Sequence, residues 1–426
     1  MSDGKYIYTE KEVRKMWERS KPEQAQIAQA KCLEAIVRTK GGIAVSFSGG
    51  KDSAVLLYLM AEMWSISSFK DKPLRVFFSN TTNEFVCATK YRKEYLQFIE
   101  NKFQIKIEYY EIKAEDNYFN VVDTVGLPFV SKKVSRMVRD CKTTLKRLGL
   151  KYADIEQYMP KHYTSNSYDE MLAAAEKLRE LGFNDTVILN LTKIRADNNI
   201  GRRFLPVKYR PILDNEEIEL SEQCCGILKK DPMKQAQKEL GGLLPVTGEM
   251  AADSRDRMTA YRQTGCNMFD GDHPKSKPLG PTTEQTVLWL IYTEQIPIMP
   301  VYGECVQNGY SCEGCETYKL TGEQRTGCKL CGFGIMYDPD RFIRLEKIEP
   351  NVVKFAFTSK KNGGLGYREV CQFLNEKCGM NIGIPDTEEG FYQKRAKAYA
   401  ERMGGIASAS TKTQKAEAAE ELKFDD

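Results

Sequence analysis

The sequence predicts an α/β protein with a doubly wound, mostly parallel sheet and a Cys-rich module in its C-terminal half. Short apolar runs typical of buried parallel strands, such as LRVFFSN, alternate with segments that have the 3.6-residue period of a helix. Five of the 13 cysteines lie between residues 305 and 331. Because β-α-β alternation builds a parallel sheet, the first observation predicts the fold class. The clustering of cysteines predicts the separate module.

The predicted elements follow in chain order. Residues 5–38 are expected to be helical, and the apolar run at 43–47 is the first strand. A helix over DSAVLLYLMAEMW, the strand LRVFFSN, a helix over TKYRKEYLQFIENKF and the strand IKIEYYEI come next. An amphipathic helix, SYDEMLAAAEKLRELGF, lies in an insertion at about 151–200. The strand LLPVTGEM and the capped helix TTEQTVLWLIYTEQI complete the pattern.

Shifts in composition divide the chain into five predicted segments. They are an N-terminal helical segment at 1–24, the α/β domain at 25–300, the Cys-rich module at 301–345, a helical region at 346–403 and a disordered tail at 404–426.

Length and charge set the outer limits of function. At 426 residues the chain is long enough for two or three domains. Its 63 basic and 59 acidic residues nearly balance, so the net charge indicates no particular polyanionic partner. No apolar run approaches the roughly 20 residues that a membrane-crossing helix needs, and the N-terminus is charged, unlike a signal peptide. We therefore expect a cytoplasmic protein without membrane association.

The stretch SFSGGKDSAVLLYLM places a polar turn, broken by glycines, between the first strand and a helix. Backbone N–H groups at a helix start have no partner inside the helix, and the helix dipole adds positive potential there. Two glycines let the backbone approach a ligand closely, two serines add hydroxyl donors and a lysine adds a positive charge. The turn is therefore predicted to bind phosphate through Ser46, Ser48, Gly49, Gly50, Lys51, Asp52 and Ser53.

The spacing of this turn excludes two common nucleotide motifs, G-x-x-x-x-G-K-[ST] and G-x-G-x-x-G. S-G-G-K-D-S instead resembles the pyrophosphate-binding PP-loop of the adenine-nucleotide α-hydrolase superfamily. This resemblance implies that the loop grips the β- and γ-phosphates of ATP while the α-phosphate reacts. Asp52 is expected either to cap backbone N–H groups of the helix or to help hold Mg²⁺ on the phosphates.

Further segments resemble the phosphoadenosine phosphosulfate reductase family, over roughly residues 25–345. FFSNTTNEF resembles the family's N-T-G-x-E segment, where adenosine lies, with Thr82 in place of the usual glycine. GLPFVSKKVSRMVRD resembles a second substrate-facing segment, and VTGEMAADSRDRM resembles a turn that meets phosphate or sulfate. The resemblance implies nucleotide contacts by Asn80, Thr81, Glu84, Ser131, Lys132, Lys133 and Ser254. It implies catalytic roles for Lys51, Asp52, Arg255 and Arg257, since guanidinium groups bind tetrahedral oxyanions in a bidentate manner.

The cysteines allow two assignments. In the family's iron–sulfur branch, a tandem Cys-Cys and a distant C-x-x-C hold one [4Fe–4S] cluster, which implies the ligands Cys224, Cys225, Cys328 and Cys331. Spacing alone also fits a zinc ribbon, C-x₂-C-x₁₂-C-x₂-C, made of Cys312, Cys315, Cys328 and Cys331. Both sites cannot use the last pair. Adjacent cysteines suit the separate iron corners of a cubane better than one tetrahedral ion.

One absence shapes the functional prediction. The assimilatory reductases of this family carry a catalytic cysteine in a C-terminal E-C-G-L-H-type motif, and no such motif follows Cys331. The loop also resembles that of the members that split ATP. We therefore expect cleavage of ATP between its α- and β-phosphates, coupled to iron–sulfur-dependent sulfur transfer. The implied partners are a sulfur donor protein and a nucleic-acid acceptor, in a homo-oligomer. The alternatives are a sulfonucleotide reductase that uses a cysteine such as Cys315, and a nucleotide-binding protein with a structural zinc ion or cluster.

Overall fold

The computed structural model describes residues 6–271, 273–312 and 315–386, with the backbone alone described at 310–312 and 315. The predicted tail at 404–426 therefore lies outside the described residues. The α-helices of the described chain are α1 (Glu10–Trp17), α2 (Lys21–Arg38), α3 (Lys51–Ser65), α4 (Ala88–Phe103), α5 (Tyr118–Val125), α6 (Lys132–Leu148), α7 (Tyr152–Glu156), α8 (Tyr168–Glu180), α9 (Asp185–Thr192), α10 (Asp231–Glu239), α11 (Arg255–Thr264), α12 (Glu284–Thr293), α13 (Arg341–Ile348), α14 (Pro350–Phe357) and α15 (Tyr367–Cys378).

The strands are short, and most belong to one sheet. They are β1 (Ile43–Ser46), β2 (Leu74–Asn80), β3 (Ile107–Lys113), β4 (Phe129–Val130), β5 (Leu244–Val246), β6 (Asn267–Met268), β7 (Lys275–Ser276), β8 (Cys305–Cys312), β9 (Cys315–Leu320) and β10 (Gly332–Phe333). The strands and helices expected from the sequence are all present, although the strand at LLPVTGEM is limited to its first apolar residues.

Two compact units make up the chain, and each draws on two stretches of sequence. The first unit contains the residues up to 121 together with 223–331, and the second contains 122–222 together with the residues from 332 onward. The chain therefore leaves the first unit and later returns to it. The domain boundaries inferred from composition stay predictions.

The first unit contains a six-stranded sheet in the order β3-β2-β1-β5-β7-β6. All neighbouring pairs are parallel except β6 with β7. The chain builds outward from β1 through β2 to β3, and then places β5 on the other side of β1. This reversal is the switch point of a doubly wound sheet, where ligands bind at the carboxyl ends of the strands. The predicted fold class is confirmed.

Helix α3, which follows β1, is apolar on nearly every side and almost fully buried. It contacts α2, α4 and α12, which explains why it lacks a polar face. Its polar residues are concentrated in the first turn, at the carboxyl end of β1. The burial of α3 therefore fixes the position of that turn.

An antiparallel ribbon of β8 and β9 also belongs to the first unit, with Cys305 opposite Leu320. The register shifts at two points along the ribbon. Helix α12 packs against both strands. The ribbon lies within the segment for which the sequence predicts a Cys-rich module.

The second unit is mainly helical, with one parallel pair formed by β4 and β10. Its core includes a group of aromatic rings whose centres lie 4.8 to 5.9 Å apart. These rings belong to Phe129, Phe342, Phe357 and Tyr367. Among the described residues, no helix combines the length and the apolar character that a membrane crossing requires.

Candidate functional site

The loop between β1 and α3 holds itself in shape through its own hydroxyl groups. Gly49 has φ +81°, a conformation that favours glycine, and Gly50 is the N-cap residue of α3 without a side-chain cap. The hydroxyls of Ser48 and Ser53 lie 3.0 Å apart. The Ser48 N–H donates to the Ser53 hydroxyl and the Gly50 N–H donates to the Ser48 hydroxyl. The Ser48 and Gly50 N–H groups, which the sequence assigns to phosphate, therefore donate to hydroxyl oxygens in this structure.

Lys51 is buried, with only 4% of its side chain exposed. Its Nζ lies 3.1 Å from Glu284 Oε1 and 3.4 Å from Asp52 Oδ1. Burial alone lowers the pKa of Lys51, but the charges of Asp52 and Glu284 outweigh burial, and the pKa is raised. The ammonium group is therefore charged and held at the start of α3.

Asp52 does not cap α3, which corrects one of the two roles expected for it. The N-cap residue is Gly50, and Asp52 is the second residue of the helix. The Oδ1 atom of Asp52 is buried and forms an ion pair with Lys51. Burial raises the pKa of Asp52, the charge of Lys51 lowers it, and the charge of Asp253 raises it. The net shift is upward, so Asp52 depends on Lys51 to remain ionised.

Tyr302 and Thr326 cover the same loop from a distant part of the sequence. The Lys51 backbone N–H donates to Tyr302 Oη at 3.1 Å, and this oxygen lies 2.6 Å from Thr326 Oγ1. Nζ of Lys51 also donates to the carbonyl of Gln324 at 3.4 Å. A Cβ at Gly50 would lie 3.4 Å from both hydroxyl oxygens, so the pair packs directly against the loop backbone. The segment that precedes Cys328 is therefore attached to the phosphate loop.

Replacing Tyr302 by Phe is expected to lower the free energy of unfolding by about 1 to 3 kcal/mol, because it leaves the buried Lys51 N–H without its acceptor. Chemical denaturation of the purified protein measures this loss. The matched control is Tyr292→Phe, which keeps the ring contact to Tyr318 on a more exposed side chain. Equal stability of the two variants would show that the Tyr302 hydroxyl has no structural role.

The Asn80–Glu84 segment follows β2 at the same end of the sheet. Glu84 accepts hydrogen bonds from the N–H and the hydroxyl of Thr81, at 3.0 and 2.7 Å. Thr82 has φ +58°, a backbone conformation that favours glycine. Its hydroxyl accepts from the Tyr118 N–H at 2.7 Å and donates to the Thr81 carbonyl. These two bonds hold the left-handed conformation of a residue that is not glycine.

The turn after β5 also lies beside the phosphate loop. A Cβ at Gly248 would be 3.0 Å from the Asp52 carbonyl oxygen, and the charge of Asp253 acts on the Asp52 carboxylate. Ser254 is the N-cap residue of α11 and accepts the Arg257 N–H at 3.3 Å. The first half of this turn, which contains Gly248 and Asp253, is therefore the part that lies close to the start of α3.

The two arginines of this turn have acidic neighbours. Arg257 pairs with Asp253, and the charge of Arg255 acts on Glu10 of α1. Both arginines are at least partly exposed. Binding of a phosphate or sulfate by these two residues stays a prediction.

Ser131 and Lys132 lie in the second unit, not with the loop and the turns of the first. Ser131 is the N-cap residue of α6 and accepts the Val134 N–H at 3.2 Å. Lys132 is exposed at the first position of that helix, and Lys133 follows it. Their contacts with a nucleotide stay predictions.

The four cysteines assigned to a cluster are neighbours in the first unit. A hydrogen bond with Cys225 is the largest cause that raises the pKa of Cys224, followed by burial and by the charges of Cys225, Cys331 and Cys328. Cys328 Sγ lies 3.5 Å from Thr81 Oγ1. The tandem pair and the C-x-x-C pair, which lie more than 100 residues apart in sequence, therefore meet beside the Asn80–Glu84 segment.

Backbone contacts hold both cysteine pairs in place. Asn83 accepts the Lys329 N–H at its carbonyl and the Leu330 N–H at its side chain. A single π-helical turn, Gly226–Lys230, follows Cys225, and Ser79 donates to the carbonyl of Leu228 within that turn. Turns of this kind occur often at functional sites.

The described residues contain no group of three or more His, Cys, Asp or Glu side chains placed to hold a metal ion together. The four thiols, although their charges act on one another, therefore do not form a metal-binding shell in the described structure. The side chains of Cys312 and Cys315, which the zinc assignment needs, lie outside the described residues. The choice between cluster and zinc stays open at this point.

Residues 42–153 match the family model described as the phosphoadenosine phosphosulfate reductase domain. Over this stretch the resemblance to the family that was seen in the sequence is confirmed, whereas the iron–sulfur branch stays a prediction. A crystal structure of phosphoadenylyl-sulfate (PAPS) reductase from Candida auris, in a phosphate complex, is similar at 12% identity, with 70% of this chain and 92% of that chain covered and a TM-score of 0.30. None of the curated proteins matches the chain.

The matched segment contains the phosphate loop and the Asn80–Glu84 segment, but not the turn after β5 or the four cysteines assigned to a cluster. Sequence reasoning missed three residues that contact the phosphate loop. They are Glu284, Tyr302 and Thr326. No local motif marks them, because their role depends on where α12 and the ribbon pack. One feature of the sequence pointed indirectly to Glu284, namely its position in the first turn of a predicted helix.

Proposed function

We propose that the protein binds ATP at the loop Ser46–Ser53 and cleaves it to AMP and pyrophosphate in order to activate an acceptor for sulfur transfer. An oxygen of the acceptor attacks the α-phosphorus, the bond from this phosphorus to the bridging oxygen breaks, and pyrophosphate leaves. A sulfide-level sulfur from a donor then attacks the acceptor atom that bears the adenylated oxygen, the bond from this atom to the oxygen breaks, and AMP departs with the acceptor oxygen. Each step exchanges one leaving group and requires no net oxidant.

The observation that supports ATP over other nucleotides is the intact S-G-G-K-D-S turn with its buried, charged lysine. Lys51 would pair with pyrophosphate oxygens and stabilise the charge that develops as the α–β bond breaks. The hydroxyl oxygens that now accept from the Ser48, Gly50 and Lys51 N–H groups would be replaced by phosphate oxygens. Mg²⁺ bound to the phosphates would take a further ligand from the protein, such as Asp52, whose carboxylate lies at the helix start.

Four cysteines of the first unit support an iron–sulfur cluster as part of this proposal. They are Cys224, Cys225, Cys328 and Cys331, which are close enough for their charges to act on one another, and each would bind a separate iron. When bound, a [4Fe–4S] cluster supplies iron and sulfide beside the segment proposed for adenosine. The residues of this chain would hold the cluster site next to the nucleotide. Asn83 fixes the backbone between Cys328 and Cys331, and Thr81 contacts the Cys328 thiol.

A second candidate function is reduction of a sulfonucleotide, which the matched domain favours by its family name. In that case a cysteine thiolate attacks the sulfur of phosphoadenylyl sulfate, adenosine 3′,5′-bisphosphate leaves, and an S-sulfocysteine forms. An external dithiol then releases sulfite from the cysteine and is itself oxidised to a disulfide. Cys315 is the cysteine we would assign to this role. The intact S-G-G-K-D-S loop favours the ATP-dependent proposal over this candidate.

Product analysis separates the two candidates. Anaerobically purified protein is incubated with Mg²⁺-ATP and sulfide, with and without transfer RNA or DNA as acceptor, and separately with phosphoadenylyl sulfate and a dithiol. Formation of AMP and pyrophosphate in equal amounts supports the ATP-dependent proposal. Release of sulfite supports the reductase. Formation of ADP, or of no product under either condition, contradicts both.

The partners stay part of the proposal. We propose a sulfur donor protein, because the chemistry consumes one sulfide-level sulfur in each cycle. A nucleic-acid acceptor and a homo-oligomer complete it, in the cytoplasm.

A further inference from the structure

Arg92, in the second turn of α4, is a buried cation without a counterion. Only 3% of the residue is exposed. Its guanidinium carbon lies 3.6 Å from the centre of the Phe78 ring, and Nη2 donates to Thr89 Oγ1 at 3.3 Å. Nη1 is buried and has no hydrogen-bond partner. Within the residues that the structure describes, no carboxylate forms an ion pair with this side chain.

This arrangement is unfavourable in the free protein. A buried charge normally requires an opposite charge and a full set of hydrogen bonds. The Phe78 ring face and the hydroxyls of Thr89 and Tyr109 supply attraction but no negative charge. The guanidinium group also has five N–H donors, which suit an oxyanion better than the neutral groups around it. Such a residue is a candidate for pairing with a ligand.

The side chain lies next to the phosphate loop. A Cβ at Gly49 would be 3.7 Å from Arg92 Cγ, so the glycine backbone passes directly over the arginine stem. The charges of Arg92 and Glu84 both act on the Tyr109 hydroxyl, which places Arg92 close to the Asn80–Glu84 segment as well. Arg92 therefore lies between the two segments that the proposed function assigns to the nucleotide.

We propose that Arg92 is an anion-binding residue that pairs with a phosphoryl group held at the Gly49 backbone. This inference rests on the proposed nucleotide site and adds to it a residue that no motif assigns. Movement of the loop on binding brings the phosphoryl oxygens to the unpaired Nη1. The ligand class is a nucleotide polyphosphate or pyrophosphate.

The test measures the thermal midpoint and the affinity for inorganic pyrophosphate with and without the arginine. Arg92→Met is expected to leave the midpoint of the free protein unchanged or raised, because it removes an uncompensated buried charge. It is also expected to weaken pyrophosphate binding by about tenfold or more, the effect of losing a charge-assisted contact. Arg75→Met is the matched control, since Arg75 is an exposed arginine on β2 that pairs with Glu108. We expect this control to bind pyrophosphate as the wild type does.

The outcomes separate this inference from the proposed function. Equal pyrophosphate binding by Arg92→Met and the wild type, with a lower midpoint for the variant, overturns the inference and assigns Arg92 a structural role. Binding that depends on Arg92 in a protein that forms no AMP overturns the proposed function alone. A wild type that binds no pyrophosphate overturns both. If Arg92→Met does not fold, Arg92→Lys decides: weaker binding supports the inference, and unchanged binding overturns it.

Discussion

Replacing Lys51 by Met is expected to lower the rate of AMP formation from ATP by about 100-fold or more, the size of effect seen when one preorganised donor to a transition-state oxyanion is lost. Lys51 is the one buried cation of the first turn of α3, and Glu284 and Asp52 hold it there. Quantification of AMP by chromatography under saturating Mg²⁺-ATP measures the rate. Lys70→Met, at an exposed lysine after α3, is the control and should retain the wild-type rate.

The same substitution has a consequence for stability, which depends on pH. Burial raises the pKa of Asp52, and the Lys51 charge counteracts part of that shift. Without the lysine, the folded-state pKa of Asp52 rises further above its unfolded value of about 4. A raised folded-state pKa contributes stability below the unfolded pKa that is lost as pH rises through the folded pKa. The Lys51→Met variant should therefore lose more stability, relative to the wild type, at neutral pH than near pH 4. A penalty that stays constant across this range would contradict the coupling of Lys51 to Asp52.

The second large effect is expected for iron. The Cys224→Ala/Cys225→Ala variant should lose nearly all bound iron, whereas anaerobically purified wild type should contain about four irons and four acid-labile sulfides per chain. Removing two of four ligands leaves the C-x-x-C pair alone, and two thiolates cannot hold a cubane against solvent. Elemental and sulfide analysis measure the loss.

Two control variants make this result specific. Cys305→Ala removes a half-buried thiol of the ribbon that contacts only the Leu288 carbonyl in the described structure, and it should keep the iron. Cys312→Ala/Cys315→Ala tests the zinc assignment. One zinc ion that is retained in the Cys224→Ala/Cys225→Ala variant and lost in the Cys312→Ala/Cys315→Ala variant would overturn the cluster and establish a ribbon site.

Local patterns in the sequence predicted the sheet and the loop well. The apolar run of β1, the glycines after it and the buried helix α3 are contiguous, so their geometry follows from chain direction and backbone freedom alone. The strand LRVFFSN likewise pairs on both sides with parallel neighbours, as a strand buried on both faces should. The resemblance to a family assigned the tandem cysteines and the C-x-x-C cysteines to one site. In the fold these cysteines lie near one another.

The missed residues all act across long distances in sequence. Glu284 and Tyr302 reach Lys51 because α12 and the segment before the ribbon pack against the start of α3, and no spacing rule reports such packing. Arg92 lies in a helix with an ordinary amphipathic pattern, where a basic residue is expected on the exposed face. Asp52 was expected either to cap α3 or to help hold Mg²⁺, because a carboxylate at a helix start suits both roles. The cap position falls instead two residues earlier, on Gly50, because the helix begins at Lys51.

The return of the chain to the first unit has a consequence for biosynthesis. Strand β1 pairs with β5 on one of its sides, and the partner of Ile43 is Leu244, about 200 residues later in the chain. At a translation rate of about 5 to 20 residues per second, roughly 10 to 40 seconds separate the synthesis of the two strands. Throughout that interval the nascent protein can pair β1 with β2 and β2 with β3, while the edge of β1 that β5 later covers stays unpaired. Open apolar edges recruit strands from other chains, so the stage of greatest aggregation risk lies on the ribosome.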